Sequence, residues 1–248
     1  MAEKHFYEQK KYTKEYLLPY FQKHIPEFHK KKILEVGCAE GGLLEVLQEI
    51  GIDAAGLEIS EERVEISKRI NPNLKIMVGD ITNPNLTSRG IGNFDVVIMR
   101  EVIEHLPDKK TAMENISKLL NREGYLFISF PPKYSPFAGH QQIGRSFLRV
   151  IPYLHILPKS FIKTVANLLS EDDGYIDEIK LHFSTGCTIK EFDSLSKFQK
   201  FAVIKKDLFL FRPIYAYRFN LPTVNFPNIP IVRECFSFGC ESLLQKKY

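Results

Sequence analysis

The sequence has few cysteines, and none of them stands at the spacing of a metal-binding or redox motif. There are four in 248 residues, namely Cys38, Cys187, Cys235 and Cys240, and no two form a C-x-x-C pair. This pattern supports neither a zinc knuckle nor a dithiol redox site. We therefore expect reduced thiols, as in a cytosolic protein.

Long apolar runs and a strong charge imbalance are also missing. No apolar stretch approaches the length of a membrane span, and residues 1–5 lack the apolar core of a signal peptide. The net charge is +4, from 34 basic and 30 acidic residues, which is too small to indicate nucleic-acid binding by itself. We expect a cytoplasmic protein for which nucleic acid is not the partner.

The chain does contain enough apolar residues for a core and a regular alternation of strand and helix patterns. Hydrophobic residues make up 44% of the sequence, which suits one α/β domain with an insertion or two small domains. We predict a single domain over 1–248, with a helical segment at 1–30 and an insertion at 133–187. The alternation of elements predicts a doubly wound, mostly parallel sheet. Its predicted strands lie at 33–36, 54–59, 75–78, 94–99 and 125–130.

After Pro132 this rhythm changes. We predict an apolar helical stretch over 147–169 that Pro152 and Pro158 interrupt, and a helix over 189–196 that Thr188 caps. A strand follows over 201–211, then a long loop over 213–230 and a last strand over 236–244. Ser60 is predicted to cap the helix after the second strand.

The most informative segment is 33–42, where an apolar strand breaks into a glycine-rich turn before a helix. Gly37, Ala39 and Gly42 almost match the G-x-G-x-x-G pattern of dinucleotide sites. Glu58 stands 21 positions after Gly37 at the end of the second strand, where an acid can accept both hydroxyls of a ribose. Asp80 ends the third strand, and the segment 100–107 ends the fourth. Since ligands of open α/β sheets bind at these strand ends, the pieces converge on one crevice.

These motifs resemble those of the class I S-adenosylmethionine-dependent methyltransferases. The matching segments are 35–41, Glu58, 79–80, 94–98 and 101–105. The resemblance implies a seven-stranded Rossmann-like sheet with an antiparallel last strand, and a helical cap between strands five and six. It implies S-adenosyl-L-methionine as cofactor, and S-adenosyl-L-homocysteine as product. The implied cofactor-binding residues are Tyr12, Thr13, Glu35, Gly37, Cys38, Ala39, Gly41, Glu58, Ile59, Asp80, Ile81, Arg100 and Glu101. Ala39 departs from the pattern, because many members have glycine there.

The loop over 130–142 is expected to bind the methyl acceptor. It is rich in proline, glycine, tyrosine and histidine, and it resembles a segment of some bacterial small-molecule methyltransferases. His140 is our candidate general base or acceptor-orienting group, and His105 is a second candidate catalytic residue. Tyr134 and Gln141 complete the predicted substrate site with His140. The predicted acceptor is a hydroxyl or amine of a sugar or specialised metabolite.

Three alternatives remain open. Glu101, Glu104, His105 and His140 resemble the Mg²⁺ ligands of small-RNA 2′-O-methyltransferases, although we expect no metal. A nicotinamide-dependent oxidoreductase would use the same glycine turn and Glu58, but it would leave Asp80 unexplained. A non-catalytic protein could keep the cofactor pocket alone. The segment 145–170 interleaves basic and apolar residues, which predicts a lid over the acceptor, a peripheral membrane contact, an extra core layer or a dimer contact.

Overall fold

In the computed structural model, which describes residues 2–247, one eight-stranded sheet forms the centre of the fold. The strand order is β3-β2-β1-β4-β5-β8-β6-β7, and β1 to β5 run parallel. The last strand, β8, runs antiparallel to both β5 and β6. The strands are β1 (Ile33–Val36), β2 (Ala54–Glu58), β3 (Ile76–Val78), β4 (Phe94–Arg100), β5 (Leu120–Phe130), β6 (Phe201–Phe211), β7 (Val224–Asn225) and β8 (Gly239–Lys246).

The predicted fold class, a Rossmann-like mostly parallel sheet with an antiparallel last strand, is confirmed. The predicted count of seven strands is corrected to eight, because the two-residue strand β7 pairs with the edge of β6. The two ends of the predicted domain, Met1 and Tyr248, lie outside the described residues. Within 2–247, no helix is both long enough and apolar enough to cross a membrane.

Helices cover both faces of the sheet. A π-helical turn, Thr13–Leu17, joins the first two α-helices of the chain. Short 3₁₀ turns lie at Phe28–Lys30, Thr87–Arg89, Ile103–His105, Gln141–Ile143, Phe147–Val150 and Leu154–Ile156. The α-helices are α1 (Ala2–Tyr12), α2 (Leu18–His24), α3 (Gly42–Glu49), α4 (Glu61–Ile70), α5 (Lys109–Leu119), α6 (Lys159–Leu168), α7 (Asp173–Thr185), α8 (Ile189–Phe198), α9 (Pro213–Phe219) and α10 (Val232–Phe236).

The central strands are apolar on both faces, so each face carries its own core. Val96 and Ile98 of β4 pack with α1, α2 and α3, whereas Val97 and Met99 pack with α5 and α8. All four of these side chains are fully buried. This two-sided burial explains why β4 reads as a continuous apolar run rather than as an alternating one.

Two predicted helix caps are confirmed. Ser60 Oγ accepts a hydrogen bond from the backbone N–H of Arg63 at 3.3 Å, and Thr188 Oγ1 accepts one from Glu191 at 3.0 Å. Each hydroxyl satisfies a backbone donor that the first helical turn leaves unpaired, and this local requirement is readable from sequence.

One prediction for the second half of the chain is confirmed: the stretch 147–169 is helical in pieces, because Pro152 and Pro158 interrupt it between two 3₁₀ turns and α6. Two other predictions are wrong in detail. The segment 213–230 is not simply a loop, since α9 begins at Pro213, whose fixed φ suits a first helical position. The last strand begins at Gly239 rather than at residue 236, where α10 ends.

The predicted insertion, 133–187, contains two helices with a small core of their own. α6 and α7 bury apolar side chains against each other and against the preceding 3₁₀ turns, including Leu148, Leu154, Ile162, Ala166, Ile176 and Ile179. Phe147, Val150 and Leu168 of the same segment are exposed. A lid role or a membrane contact for this segment stays a prediction.

Candidate active site

The glycine-rich turn after β1 has the left-handed backbone that its composition predicts. Gly37 has φ 68° and Gly41 has φ 82°, a region that glycine enters without a steric penalty. Ala39 adopts φ 51° in the same turn, where its methyl group makes the backbone less favourable. The turn ends at Gly41, which is the N-cap of α3.

Glu58 at the end of β2 holds this turn in place. Its buried carboxylate accepts a hydrogen bond from the backbone N–H of Ala39 at 2.8 Å through Oε2. Oε1 accepts a second hydrogen bond, from the backbone N–H of Ser60, at 3.0 Å. Each carboxylate oxygen can accept more than one hydrogen bond, so Glu58 can still accept hydrogen bonds from a ribose. Its role in ribose binding stays a prediction.

A cavity of about 350 Å³ lies beside the turn. Five of the predicted cofactor residues line it, and they come from the N-terminal helix, the turn after β1 and the end of β4: Tyr12, Gly37, Ala39, Arg100 and Glu101. We call this space the first cavity. It lies at the carboxyl ends of the parallel strands, where the sequence predicts ligand binding.

Glu35 and Arg100 form a buried ion pair next to the first cavity. Arg100 Nη2 donates to Glu35 Oε1 at 2.7 Å. Burial raises the pKa of the Glu35 carboxyl, and the guanidinium of Arg100 opposes that rise. In the described chain, Glu35 Oε2 and Arg100 Nε are buried without a hydrogen-bond partner. One acceptor and one donor are therefore available for a polar ligand group.

Eight predicted cofactor residues are not among the residues that line the first cavity as it is described. They are Glu35, Gly41 and Glu58, together with Thr13, Cys38, Ile59, Asp80 and Ile81. Ile81 and Cys38 are buried, and Thr13 Oγ1 donates to a backbone carbonyl within the N-terminal helical run. Asp80 Oδ1 accepts from the backbone and the hydroxyl of the residue two positions later, at 2.7 and 2.8 Å. Ile59 is 67% exposed. Their cofactor roles stay predictions.

A second cavity, of about 430 Å³, adjoins the first. Its lining includes four aromatic side chains, Phe137, Tyr215, Phe219 and Phe238, and the predicted acceptor loop contributes Gln142 as well. The two cavities share four lining residues, which therefore stand between them: Glu101, His140, Arg212 and Arg218.

Glu101 and Arg212 form a two-point ion pair at this boundary. Arg212 Nη1 donates to Glu101 Oε2 at 2.8 Å, and Nη2 donates to Oε1. The ion pair with Arg212 lowers the pKa of the Glu101 carboxyl, although partial desolvation of this half-exposed group opposes the shift. Glu101 itself has φ 55°, an unfavourable backbone for a side chain of this kind. Arg212 was not predicted as a site residue. The sequence feature that could have indicated it is its position directly after the predicted strand 201–211.

His105 and His140, the two predicted catalytic residues, lie together with His182, which was not predicted. The ring centroids are 5.0 Å apart for His105 and His140, 4.9 Å for His105 and His182, and 4.2 Å for His140 and His182. Burial lowers the pKa of His140 to about 4, and it lowers the pKa values of His105 and His182. All three imidazoles are therefore neutral near pH 7.

The two other predicted substrate residues do not line either cavity as described. Gln141 is fully buried, and its Nε2 donates to the backbone carbonyls of Pro136 at 2.9 Å and Ile151 at 3.0 Å. In this structure the side chain of Gln141 thus holds the loop, and its neighbour Gln142 reaches the second cavity. Tyr134 is 37% exposed and packs its ring against Phe183. Substrate contact by Tyr134 or Gln141 stays a prediction.

The four residues of the alternative Mg²⁺ site are not assembled as one ligand set. Glu101 is paired with Arg212, and the Glu104 carboxyl is buried, which raises its pKa well above the usual range. Among residues 2–247, the cluster able to hold a metal consists of His105, His140 and His182 and contains neither carboxylate. The structure thus gives the Mg²⁺ hypothesis no carboxylate ligand.

Glu241 of β8 is buried against the N-terminal helical segment, and its titration should make the stability of the protein depend on pH. Tyr16 donates to its Oε2 at 2.8 Å and Tyr12 to its Oε1 at 3.4 Å. Burial raises the pKa of Glu241 to about 7, above its value in the unfolded chain. At pH values between the pKa of Glu241 in the unfolded chain and its pKa in the native state, the native state binds an extra proton. The free energy of unfolding therefore falls as the pH rises through this range.

We expect Glu241→Gln to remove this dependence. Between pH 5 and pH 8 the wild type should lose about 2–3 kcal/mol of unfolding free energy that the variant keeps. Urea unfolding of both proteins at several pH values measures the difference, and the other titrating groups cancel in it. Parallel pH profiles for the two proteins would contradict the expectation.

The profile of the methyltransferase domain family matches residues 4–176 of the chain. Among curated proteins, the chain is 31% identical over 114 residues to the ubiquinone biosynthesis O-methyltransferase of Proteus mirabilis (strain HI4320), covering 45% of this chain and 46% of that protein. It is 28% identical over 163 residues to the ubiquinone biosynthesis O-methyltransferase of Bartonella tribocorum (strain CIP 105476 / IBS 506), covering 63% and 66%. In most of these matches the chain spans about half the length of its curated relatives.

A solved structure with a similar fold is that of the plantazolicin methyltransferase BpumL in complex with SAH. The TM-score is 0.57 at 14% sequence identity, and the similarity covers 100% of this chain and 85% of that one. At this identity the similarity concerns the fold alone.

Proposed function

The chain belongs to the methyltransferase domain family and has the fold of the class I enzymes that use S-adenosylmethionine, and we propose that it methylates a small-molecule acceptor. The observation that supports this most is the pair of adjoining cavities. The first is lined by predicted cofactor residues, and the second is lined by the predicted acceptor loop. Their shared boundary is where a methyl group would pass from one ligand to the other.

The first cavity fits the amino-acid end of the cofactor. The turn of Gly37 offers backbone without side chains, and the unpartnered Glu35 Oε2 can accept a hydrogen bond from an ammonium group. Arg100 holds the Glu35 carboxylate in position. We assign the adenosine end to Glu58, Asp80 and the neighbouring strand ends, as the resemblance implies.

The second cavity fits a small acceptor with an apolar or ring-containing body. Its volume of about 430 Å³ lies in the usual range of small-molecule sites. Aromatic side chains provide apolar contact area, and the charged lining residues, Glu101, Arg212 and Arg218, lie at the boundary with the first cavity. The relatives named as O-methyltransferases support an acceptor hydroxyl, while an amine fits the same geometry.

When bound, the cofactor supplies an activated methyl group, whose bond to sulfur breaks with its electron pair left on the sulfur. The protein mainly has to align the acceptor in line with that bond and exclude water. The acceptor loses a proton, and the neutral His140 at the boundary can accept it or orient the acceptor. The lowered pKa makes His140 a weak base, so orientation is the larger part of its role.

Calorimetry with S-adenosylhomocysteine and with NAD tests this proposal. We expect one S-adenosylhomocysteine to bind per chain and NAD not to bind at the same concentration. Glu35→Gln should weaken this binding, because it removes the charge that faces the ammonium group. Binding of NAD without binding of S-adenosylhomocysteine would favour the oxidoreductase alternative and overturn the proposal.

For His140→Ala we expect lower turnover with unchanged cofactor affinity. The turnover should fall about tenfold, since methyl transfer from a sulfonium needs little acid–base assistance. The assay uses a methyl acceptor found by screening hydroxyl- and amine-bearing small molecules with labelled cofactor. His29→Ala, which changes an exposed histidine on a distant turn, is the matched control. Wild-type turnover in His140→Ala would exclude a catalytic role for this side chain.

A further inference from the structure

Three histidines from separate parts of the chain converge beside the second cavity. His105 ends the 3₁₀ turn after β4, His140 precedes the 3₁₀ turn of the acceptor loop, and His182 lies on α7. One nitrogen from each of the three rings lies within 4.8 Å of the other two. We call this group the histidine cluster. Tertiary packing alone brings its members together, since 77 residues separate His105 from His182.

The spacing of the ring nitrogens is close to that of a metal site. His105 Nδ1 and His182 Nδ1 are 3.2 Å apart. In a tetrahedral Zn²⁺ site with Zn–N distances of about 2.0–2.1 Å, two ligand nitrogens lie about 3.3 Å apart. The ring of His140 is stacked on that of His182, with centroids 4.2 Å apart and an interplanar angle of 21°, so His140 has to turn to direct its nitrogen to the same centre. Its nitrogen lies within 4.8 Å of the other two, which is within reach of such a rotation.

The opposite nitrogens of two of the rings face carboxylates. His105 Nε2 lies 3.9 Å from Glu104 Oε1, and His182 Nε2 lies 3.7 Å from Glu178 Oε1. A metal-binding histidine usually donates its other N–H to a carboxylate or a carbonyl, which orients the ring. Both histidines thus direct Nδ1 towards the cluster and Nε2 towards an acid, at distances slightly longer than a hydrogen bond.

Glu104 gives an independent sign that this arrangement is functional. Its side chain is 5% exposed, and in the described chain neither carboxylate oxygen accepts a hydrogen bond from another residue. A buried carboxyl group without such a partner costs free energy, so its retention beside His105 requires an explanation. Orienting a metal-bound imidazole provides one, because a metal on Nδ1 leaves the proton on Nε2, next to Glu104.

We propose that His105, His140 and His182 bind a divalent transition-metal ion, with Zn²⁺ as the best match. Three imidazoles suit Zn²⁺, Co²⁺ or Ni²⁺, whereas Mg²⁺ prefers oxygen ligands. This proposal goes beyond methyl transfer and does not depend on it, since it concerns metal binding in the absence of any cofactor. His140 also lines both cavities, so the bound ion would lie next to the acceptor.

Titration with Co²⁺ tests the proposal directly. The protein of 248 residues is treated with a chelator, freed of it, and titrated with Co²⁺ while the visible d–d absorption is recorded. We expect one ion to bind per chain, with an absorption band typical of four-coordinate Co²⁺, and Zn²⁺ to displace it. If no band forms and Zn²⁺ binds no tighter than to the His29→Ala/His182→Ala protein, the proposal is overturned.

Variants then locate the ion. His182→Ala should weaken Zn²⁺ binding by roughly 100-fold, and Glu104→Gln by roughly 10-fold or more. His29→Ala, which removes an exposed histidine elsewhere, should bind Zn²⁺ like the wild type. Equal affinity in His182→Ala and the wild type would overturn the proposal even if the wild type binds metal. S-adenosylhomocysteine binding, measured in parallel, reports on the proposed function separately.

A second measurement covers the case in which a variant fails to fold. Histidine modification by diethyl pyrocarbonate, mapped by mass spectrometry on the wild type, needs no substitution. Zn²⁺ should protect His105, His140 and His182 and leave the modification of His24 and His29 unchanged. Equal modification of all these sites with and without Zn²⁺ would contradict a metal site at the histidine cluster.

Discussion

Gly37→Ala is expected to lower both stability and cofactor affinity, more than alanine at any open left-handed glycine of this chain. Gly37 has φ 68°, and a Cβ built on it would overlap Cγ2 of Val102. The left-handed backbone costs an alanine about 1–2 kcal/mol. The overlap adds about 1–3 kcal/mol, because a β-branched neighbour has little freedom to move away.

Two matched variants separate these costs. Gly51→Ala has a similar φ of 78° but meets no atom within 4 Å, so it should show the backbone cost alone. In the background of Val102→Ala, which removes Cγ2, the added cost of Gly37→Ala should fall to about that of Gly51→Ala. Urea unfolding measures each free energy. Equal losses in Gly37→Ala and Gly51→Ala would show that the close approach of Val102 is unimportant.

The same variants report on the cofactor. Movement of the turn away from Val102 would displace the backbone that lines the first cavity, so S-adenosylhomocysteine should bind Gly37→Ala at least roughly tenfold more weakly, while Gly51→Ala binds it normally. Normal binding by Gly37→Ala would indicate that the ligand does not approach this turn.

The glycine-rich turn beside the first cavity was predictable from sequence because its signals are local. The strand 33–36, which leads into this turn, was predicted with the bounds that the structure has. The turn of Gly37, the acid at the end of β2 and the cap at Ser60 each depend on a few neighbouring residues, whose backbone requirements are readable in the chain.

The second cavity and its boundary with the first were not predictable to the same extent, because long-range packing builds them. Arg212 pairs with Glu101 across 111 residues, and the strand end that carries it was followed by a predicted loop. His182 reaches His105 only because α7 folds back over the turn after β4. The fixed φ of proline suits both a loop and the first position of a helix. The sequence therefore predicts a loop from Pro213 onwards, whereas in the structure Pro213 begins α9.

The two residues of the ion pair between the cavities, Glu101 and Arg212, should differ in how much their substitution destabilises the protein. The side chain of Arg212 is 10% exposed, whereas that of Glu101 is 42% exposed. The side chain of Arg212 also packs over Gly239, where a Cβ would come within 2.7 Å of its Cδ. Removing the acid therefore leaves a buried cation unpaired, while removing the cation leaves an acid that water can reach.

We expect Glu101→Gln to cost about 3–5 kcal/mol of unfolding free energy and Arg212→Gln about 1 kcal/mol. The double variant should be more stable than Glu101→Gln, because it no longer contains the unpaired buried charge. Lys30→Gln, which breaks the exposed pair with Glu27, is the control and should leave stability unchanged. Urea unfolding of the four variants and the wild type gives the comparison. Equal losses for Glu101→Gln and Arg212→Gln, or a double variant that loses the sum of both, would refute the view that burial of the Arg212 charge dominates this boundary.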